Sequence, residues 1–232
     1  MNKLLVITGG TKGIGRSIIE RFAHEGFDVV TCARKEEDLR ALKNDSGISG
    51  EVFTHQADVS EEEQAKGFAA YVHSLNRPVD VLVNNAGYFV PGEISTEPEG
   101  TLDSMMRANL YSAYHITRGL VEGMKQQQSG HIFNMCSIAS IKAYPNGGSY
   151  AITKFALLGF SKCLREELKT SGIRVTSILP GATRTASWDG VDLPDERFMK
   201  PDDVADMVYA AYALSSRSVV EEILIRPQLG DI

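Results

Sequence analysis

The sequence predicts an α/β fold in which seven strands form one doubly wound parallel sheet. Two observations lead to this prediction. Short runs rich in β-branched and aliphatic residues alternate with longer segments of helical periodicity along the 232 residues, which is typical of a parallel sheet with crossover helices. The strand-like runs are also almost continuously apolar, as strands covered by helices on both faces should be. Right-handed crossovers make such a sheet doubly wound, and no linker divides the chain, so we expect a single domain over residues 1–232.

The predicted elements follow one another in a regular order. The strands cover residues 3–9, 28–34, 51–58, 79–87, 131–138, 174–181 and 221–227. Helical patterns lie between them at 14–24, 35–43, 60–75, 101–127 and about 150–170, and a last helix begins at Pro201. Every strand except the last is therefore followed by a helix, as a parallel sheet requires.

Composition argues against several classes of protein. The net charge is −6 and no run concentrates Lys and Arg, so nucleic acid is not an expected partner. The apolar run at the amino terminus is too short for a signal peptide or a membrane span, so we expect a cytoplasmic protein with no membrane partner. Cys32, Cys136 and Cys163 are far apart and odd in number, which favours buried, reduced thiols. The five histidines do not cluster, so no metal site is expected.

A glycine-rich segment joins the first strand to the first helix. It has the sequence TGGTKGIG at residues 8–15, with three glycines in the spacing GxxxGxG. Glycine permits a tight turn and lets the backbone approach a pyrophosphate, which then meets the positive end of the helix. A glycine-rich turn without a ligand is the alternative, but the position between strand and helix is the one that a Rossmann-type dinucleotide site requires. The expected cofactor contacts here are Gly9, Thr11, Lys12, Gly13, Ile14 and Gly15.

The end of the second strand indicates which cofactor binds. An NAD site places an acid there to bind the ribose 2′-hydroxyl, whereas this chain has Ala33 and Arg34. Asp28 lies at the wrong end of that strand, and Asp38 lies a turn into the next helix. Arg34 and Lys12 could hold a 2′-phosphate by charge-assisted hydrogen bonds, although either could be a solvated surface charge. Together these features predict NADP(H) as the cofactor.

Four motifs in order resemble the short-chain dehydrogenase/reductase family. They are the glycine segment, NNAG at 84–87, SYAITK at 149–154 and PG at 180–181. The resemblance spans almost the whole chain, and each motif lies at the strand or helix where that family carries it. What the resemblance implies is an oxidoreductase that transfers a hydride between NADP(H) and a carbonyl or alcohol.

The resemblance also implies a catalytic set. Tyr150 would be the acid/base, Lys154 its activator, Ser137 the hydroxyl that orients the carbonyl, and Asn109 a proton relay. Tyr150 and Lys154 are spaced i and i+4, so they share one helix face, although an aromatic ring on a lysine stem is common without any chemistry. We expect the ammonium and the positive nicotinamide to lower the tyrosine pKa from its ordinary value near 10.

Ser137 and Ser140 are both candidates for the hydroxyl that orients the carbonyl. Ser137 lies 13 residues before Tyr150, which fits the family, and we expect Ser140 to be a loop or capping serine. Asn109 is a poor helix-interior residue, so a local backbone irregularity is expected there, with a surface asparagine as the alternative.

The resemblance implies the rest of the cofactor cleft. Asp58 and Val59 would border the adenine, and the NNAG segment would line the cleft. The loop PGATRT would reach the nicotinamide carboxamide through Thr183 and Thr185. The further contacts expected on this basis are Asn85, Ala86, Gly87, Tyr150, Lys154, Pro180 and Gly181.

The segment at about 185–200 would form a short lid over the substrate. It carries Trp188, the only tryptophan, which either stacks on a flat substrate or anchors the lid. The expected substrate contacts are therefore Ser137, Tyr150 and Trp188. The part of the chain from residue 130 to the carboxyl terminus is similar to bacterial sepiapterin reductases, which points to a pterin or a small diketone as the carbonyl substrate.

Other functions would share part of this set of motifs. A 3-oxoacyl-acyl-carrier-protein reductase or a hydroxy-acid dehydrogenase would share the motifs. A non-catalytic NADP(H) sensor would not need Ser137, Tyr150 and Lys154 together. We also expect a homodimer or homotetramer, because the family packs the helices over 101–127 and 150–170 against their copies. The second helix carries the apolar residues Phe155, Leu157, Leu158 and Phe160, too many for one buried stripe.

Overall fold

The computed structural model describes residues 1–232 and contains one seven-stranded parallel sheet. Its strands are β1 Leu4–Thr8, β2 Asp28–Ala33, β3 Val52–Gln56, β4 Val81–Asn84, β5 Gly130–Met135, β6 Ile173–Pro180 and β7 Glu222–Ile225. Their order across the sheet is β3-β2-β1-β4-β5-β6-β7, and every neighbouring pair is parallel. The predicted fold class is confirmed. The direction of winding reverses between β1 and β4, where open α/β sheets bind their ligands.

Helices cover both faces of this sheet. They are α1 Gly13–His24, α2 Glu36–Lys43, α3 Glu62–Ser74, α4 Thr101–Met106, α5 Ser112–Gln126, α6 Gly148–Leu168 and α7 Pro201–Ala213. A π-helical turn, Arg107–Tyr111, joins α4 to α5. The single helix predicted over 101–127 is therefore two α-helices with a wider turn between them.

The alternation of side chains along β1 divides the core into two layers. Leu5 and Ile7 belong to a cluster of 20 buried residues that α1 and α7 complete. Leu4 and Val6 point to the opposite face, into a cluster of 19 buried residues with α3, α5 and α6. Because both faces are covered, β1 has no exposed position, which explains why its sequence lacks polar alternation.

Two expectations about single residues have different outcomes. Asp28 lies at the amino end of β2, where it pairs with Arg77 at 2.8 Å and accepts the backbone N–H of Glu51. It is thus remote from the carboxyl edge, as predicted.

All three cysteines are free, but only Cys32 and Cys136 are buried. The expectation of a buried thiol is wrong for Cys163, because it lies on the solvent-exposed side of α6. None of the helices has the length and hydropathy that crossing a membrane requires.

A buried histidine in β5 has a fixed tautomer. His131 is fully buried and stacks on Phe133 with ring centroids 3.9 Å apart. Its Nε2 lies 2.7 Å from the hydroxyl of Thr176, and that hydroxyl donates to the carbonyl of Val220. The hydroxyl has only one hydrogen, so Nε2 must carry the imidazole proton, and Nδ1 has no hydrogen-bond partner. Burial, with the positive charge of Arg174, lowers the pKa of His131 to about 2.

This histidine should make the fold sensitive to acid. Between pH 6.5 and about 2 the unfolded chain binds a proton that folded His131 excludes, so the free energy of unfolding falls as the pH falls. From pH 7.5 to 5.0 the loss should be about 2 kcal/mol. In His131→Leu, the fall in the free energy of unfolding from pH 7.5 to 5.0, measured by urea unfolding, should be about 2 kcal/mol smaller than in the wild type. Thr176→Val keeps the imidazole buried and should keep the wild-type pH dependence. An equally steep loss in His131→Leu would contradict the assignment.

Candidate active site

The glycine segment makes a turn that larger residues could not adopt. Gly9 and Gly13 have φ angles of +66° and +54°, which L-residues with side chains avoid. At Gly15 an added Cβ would collide with the carbonyl oxygen of Gly9. At Gly13 it would lie 3.1 Å from the methyl group of Thr185. The three glycines therefore bring the loop, the start of α1 and the segment after β6 into close approach.

The amino end of α1 suits a pyrophosphate. Lys12 precedes the helix in an extended conformation, no side chain caps it, and its first turn contains no acidic residue. The first N–H groups of a helix have no intrahelical acceptor and carry partial positive charge. A glycine turn that leads into such an end has the geometry and polarity that a dinucleotide needs, so the residues present fit that cofactor.

The NNAG segment is tied to the end of β1. The hydroxyl of Thr8 accepts the backbone N–H groups of Asn85 at 3.0 Å and Ala86 at 2.9 Å. The Asn85 side chain donates to the carbonyls of Thr8 and Gly9 at 2.9 and 3.1 Å. These four hydrogen bonds fix the two segments that flank the point where the sheet reverses direction.

Asn109 lies in the π-helical turn and is buried. Its Oδ1 accepts the N–H of Tyr88 at 2.9 Å, and its Nδ2 donates to the carbonyl of Tyr88 and the hydroxyl of Thr153, both at 3.0 Å. A Cβ at Gly87 would lie 2.8 Å from Oδ1. The predicted backbone irregularity is therefore present, and the asparagine is not a surface residue. It holds the segment after NNAG against α6.

Tyr150 and Lys154 lie one turn apart near the start of α6, beside the end of β5. The Lys154 Nζ is 5.6 Å from the centre of the Tyr150 ring and donates to the carbonyl of Met135 at 2.7 Å. The lysine is 5% exposed, which is unusual for this residue type. The alternative of a snorkelling lysine stem is excluded, because the ammonium group points inward.

Burial sets the proton affinity of both groups. It raises the pKa of Tyr150 to about 12, although hydrogen bonding with Ser137 offsets part of the effect. It lowers the pKa of Lys154 to about 8. Removal from water disfavours the charged form of each group. The lowering of the tyrosine pKa by the ammonium together with the positive nicotinamide stays a prediction for the complex with cofactor.

The two serines after β5 have separate positions. Ser140 accepts the backbone N–H of Ser137 at 3.2 Å, and the Ser137 hydroxyl accepts the N–H of Ala139 at 3.1 Å. They form a capping box around a short 3₁₀ turn. Ser140 is buried in this turn as a capping residue, as predicted, whereas Ser137 also faces Tyr150. Cys136 is buried, and burial raises its pKa to about 11.

The region predicted for the 2′-phosphate contains an acid that the sequence analysis discounted. Arg34 is exposed directly after β2. Lys12 is paired with Asp38 across 2.9 Å, because the first turn of α2 brings this carboxylate back towards the glycine segment. At the end of the neighbouring strand, Asp58 accepts the N–H and hydroxyl of Ser60. Val59 lies beside it, partly exposed.

The segment after β6 returns to the glycine loop. The buried hydroxyl of Thr183 donates to the carbonyl of Gly181 at 3.0 Å, and the Thr185 side chain lies against the Gly13 position. Pro180 ends β6. The structure thus brings Thr185 to the predicted cleft, while the Thr183 hydroxyl already has an acceptor in its own loop.

The aromatic ring that packs on Tyr150 is Phe89 and not Trp188. Trp188 is half-buried and packs edge-on against Phe198, with ring centroids 5.2 Å apart. The ring of Phe89 lies 4.9 Å from that of Tyr150 at 66°. Tyr144 is close enough for Tyr150 to add to the effect of burial, which raises the pKa of Tyr144 to about 12. Sequence reasoning missed Phe89 and Tyr144, and their only signal was their place next to NNAG and SYAITK.

Comparison with known proteins agrees with this geometry. The chain matches the short chain dehydrogenase family over residues 3–194. It is 35% identical, over an alignment 243 positions long, to a sepiapterin reductase of Chlorobaculum tepidum, with 100% of this chain and 99% of the relative covered. A metagenomic short-chain oxidoreductase in complex with NADP is 31% identical, with a TM-score of 0.84 and 97% of both chains covered. An alcohol dehydrogenase from the archaeon Thermococcus sibiricus, complexed with 5-hydroxy-NADP, has a TM-score of 0.89 at 28% identity, with 100% of this chain and 99% of that one covered.

The family match covers most of the chain, and the C. tepidum relative covers all of it. This chain therefore belongs to the short-chain dehydrogenase family, and it is an oxidoreductase of that family. The resemblance inferred from its sequence motifs is confirmed.

Proposed function

We propose that the protein is an NADP(H)-dependent enzyme that interconverts a carbonyl and an alcohol through Ser137, Tyr150, Lys154 and Asn109. The observation that carries the proposal is their convergence at the carboxyl edge of the sheet, next to the glycine segment. A protein that only sensed the cofactor would need the glycine segment but not a lysine buried beside a tyrosine and a serine. Burying such a lysine disfavours its charged form, which argues that the arrangement serves chemistry.

Tyr150 is suited to act as the general acid in the reductive direction. With a pKa of about 12 it holds its proton at neutral pH, so it can donate that proton to the substrate oxygen. The Ser137 hydroxyl would bind the same oxygen and stabilise the negative charge that develops there. NADPH, when bound, supplies the hydride for the carbonyl carbon.

Lys154 would hold its charge beside Tyr150, and Asn109 would hold the geometry of the site around them. The ammonium of Lys154 is oriented by the Met135 carbonyl, which keeps its charge on the inner side of the tyrosine ring. Both amide hydrogens of Asn109 are committed to Tyr88 and Thr153. We therefore propose that Asn109 supports the relay by fixing this wall of the site rather than by passing protons through its side chain.

The cofactor is NADP(H), bound across the point where the sheet reverses direction. The glycine segment and the open end of α1 would hold the pyrophosphate. Arg34 stands after β2 where an NAD site has an acid. The related structures with NADP and 5-hydroxy-NADP support this choice. Asp58 and Val59 would border the adenine, and Thr185, with Thr183, the nicotinamide end.

The substrate that the site favours is a flat carbonyl compound such as a pterin. Phe89 places aromatic surface beside Tyr150, and the relative from C. tepidum is a sepiapterin reductase. Residues 185–200 would cover the bound substrate, with Trp188 anchoring this lid through Phe198. A small diketone, a 3-oxoacyl thioester and a hydroxy acid are the alternative substrates.

We also propose that the enzyme is a symmetric homodimer or homotetramer. Tyr111, Tyr114, Ile152 and Phe155 form an apolar face across the π-helical turn, α5 and α6, and Phe155 is 46% exposed. Leu157 and Leu158, by contrast, are buried within the chain, so the apolar run in α6 serves two surfaces. An apolar face of this kind is typical of a helix that packs against its own copy.

Replacing Tyr150 tests the proposed chemistry. Tyr150→Phe keeps the ring but removes the acidic hydroxyl, so turnover should fall by roughly 10²–10⁴. NADPH affinity, measured by fluorescence titration, should change little. The substrate for this comparison comes from an NADPH-oxidation screen over pterins, diketones, oxoacyl thioesters and hydroxy acids. Wild-type turnover in the Phe variant would show that the proton comes from another group.

The ion pair between Lys12 and Asp38 should weaken NADPH binding, because Asp38 competes with the 2′-phosphate for the Lys12 ammonium. Asp38→Asn frees an exposed cation, and since surface ion pairs contribute up to about 1 kcal/mol, NADPH should bind roughly 2- to 5-fold more tightly. Arg34→Ser should lose roughly 10- to 150-fold of NADPH affinity, as for a hydrogen bond to a charged group. NADH affinity is the control, and it should change in neither variant. Equal changes for both cofactors would place these residues away from the phosphate.

Phe89 and Trp188 should affect substrates differently. If Phe89 contacts a planar substrate, Phe89→Ala should raise the KM of a flat bicyclic carbonyl by roughly 5-fold or more, as expected from losing about 1 kcal/mol or more of stacking. A small aliphatic diketone has little face to lose and should be affected less. Trp188→Ala should raise the KM of both substrates alike, because the lid loses its contact with Phe198. If Trp188→Ala raised the KM of the flat substrate alone, Trp188 would stack on that substrate rather than anchor the lid.

A further inference from the structure

The helix that carries Tyr150 begins without a cap of its own. Its N-cap position is Gly147, its first residue is Gly148, and no side chain at the N-cap forms a capping bond. The first N–H groups of a helix need acceptors from outside the helix. Ser149, the next residue, is almost fully buried, so water cannot readily supply them.

Glu97 supplies the acceptor from 52 residues earlier in the chain. This carboxylate accepts the hydroxyl of Ser149 through one oxygen and faces the Ser149 backbone N–H at 3.4 Å through the other. The negative charge of the carboxylate is also attracted to the positive amino end of the helix dipole. Glu97 lies in the loop between β4 and α4, the same loop that begins with NNAG.

A second observation shows that this contact needs a specially close approach. A Cβ on Gly148 would lie 2.5 Å from the carbonyl oxygen of Gly92 and 3.0 Å from Glu97 Oε2. Gly148 does not have a positive φ, so its small size, rather than its conformational freedom, is what the site uses. Gly92 also donates to the Asn146 carbonyl at 3.0 Å and forms a bridge with Gly147.

The same loop also reaches the tyrosine ring. Phe89, eight residues before Glu97 in the sequence, packs edge-on against Tyr150. The loop thus contacts the ring at Phe89 and the first turn of α6 at Glu97. Tyr150 follows Ser149 directly, so the orientation of the first turn determines where the phenol hydroxyl points.

We propose that Glu97 is a positioning residue for the reaction. Its hydrogen bonds to Ser149 fix the first turn of α6 and keep the Tyr150 hydroxyl directed at Ser137 and the substrate carbonyl. Glu97 touches neither substrate nor cofactor in this role. The inference rests on the proposed function of Tyr150 and adds a residue to which neither the motifs nor the family resemblance pointed.

The test separates positioning from stability. In Glu97→Ala, kcat should fall roughly 10- to 100-fold, as for the loss of a hydrogen bond to a charged group, while the NADPH dissociation constant measured by fluorescence stays at the wild-type value. Glu97→Gln keeps an acceptor for the Ser149 hydroxyl and should retain most of the turnover. Glu99→Ala removes an exposed acid of the same loop and is the matched control, with wild-type kcat expected.

Two variants approach the contact from the helix side. Ser149→Ala removes the donor, and Gly148→Ala inserts a methyl group between the loop and the helix. Both should lower kcat without changing NADPH binding. The double variant Glu97→Ala/Ser149→Ala should be no slower than the slower of its two single variants, because they remove one interaction.

The outcomes also distinguish this inference from the proposed function. If Glu97→Ala keeps the wild-type kcat, or lowers only the melting temperature, or if Glu97→Gln is as slow as Glu97→Ala, Glu97 does not position Tyr150. If instead Tyr150→Phe retains full turnover, the proposed chemistry fails, whatever Glu97 does. A loss in Tyr150→Phe with no loss in Glu97→Ala overturns the inference alone.

Discussion

The close approach of the glycine segment and the NNAG segment determines the rest of the site. Both segments leave neighbouring parallel strands at the point where the sheet reverses direction, and Thr8 and Asn85 join them through four hydrogen bonds. Gly9 and Gly15 leave room for the Asn85 amide, since an added Cβ would lie 3.3 and 2.6 Å from its nitrogen. Gly87 then lets Asn109 approach, and Asn109 in turn positions Tyr88 and α6. The chemistry at Tyr150, beside the end of β5, therefore depends on contacts made two strands away, at the carboxyl end of β1.

Removal from water gives Tyr150 and Lys154, two ionisable groups in the first turns of α6, their proton affinities. Burial favours a neutral Tyr150, and it reduces the cost of losing the Lys154 proton. The carbonyl that orients the ammonium belongs to Met135, the last residue of β5, so the central sheet itself sets the lysine position. A protonated phenol beside a lysine that can release its proton near neutral pH is suited to repeated proton delivery.

Features that depend on local pattern were predictable from the sequence, and features that depend on distant side chains were not. Continuous apolar runs predicted the inner strands, because strands buried on both faces permit no polar alternation, whereas the edge strands β3 and β7 keep exposed positions. The poor helix propensity of Asn109 indicated the irregular turn. The pairing of Lys12 with Asp38 and the packing of Phe89 on Tyr150 join segments that no periodicity relates. The same holds for Glu97 and Ser149. The rise that burial causes in the pKa of Tyr150 was not predicted, because a sequence does not show how far a side chain is removed from water.

The π-helical turn at Arg107–Tyr111 limits how this part of the chain can change in length. A π-helical turn contains one residue more than an α-helical turn does, and each residue of an α-helix advances its direction by about 100°. Deleting one residue from an ordinary α-helix would rotate its two halves by that angle, whereas deleting one here would convert the wide turn to an α-helical turn and leave α4 and α5 close to their present phase. The contacts of Asn109 with Tyr88 would be lost with the wide turn, while Tyr114 in α5 would keep its direction. A deletion in this turn is thus expected to harm the catalytic geometry far more than the packing of subunits.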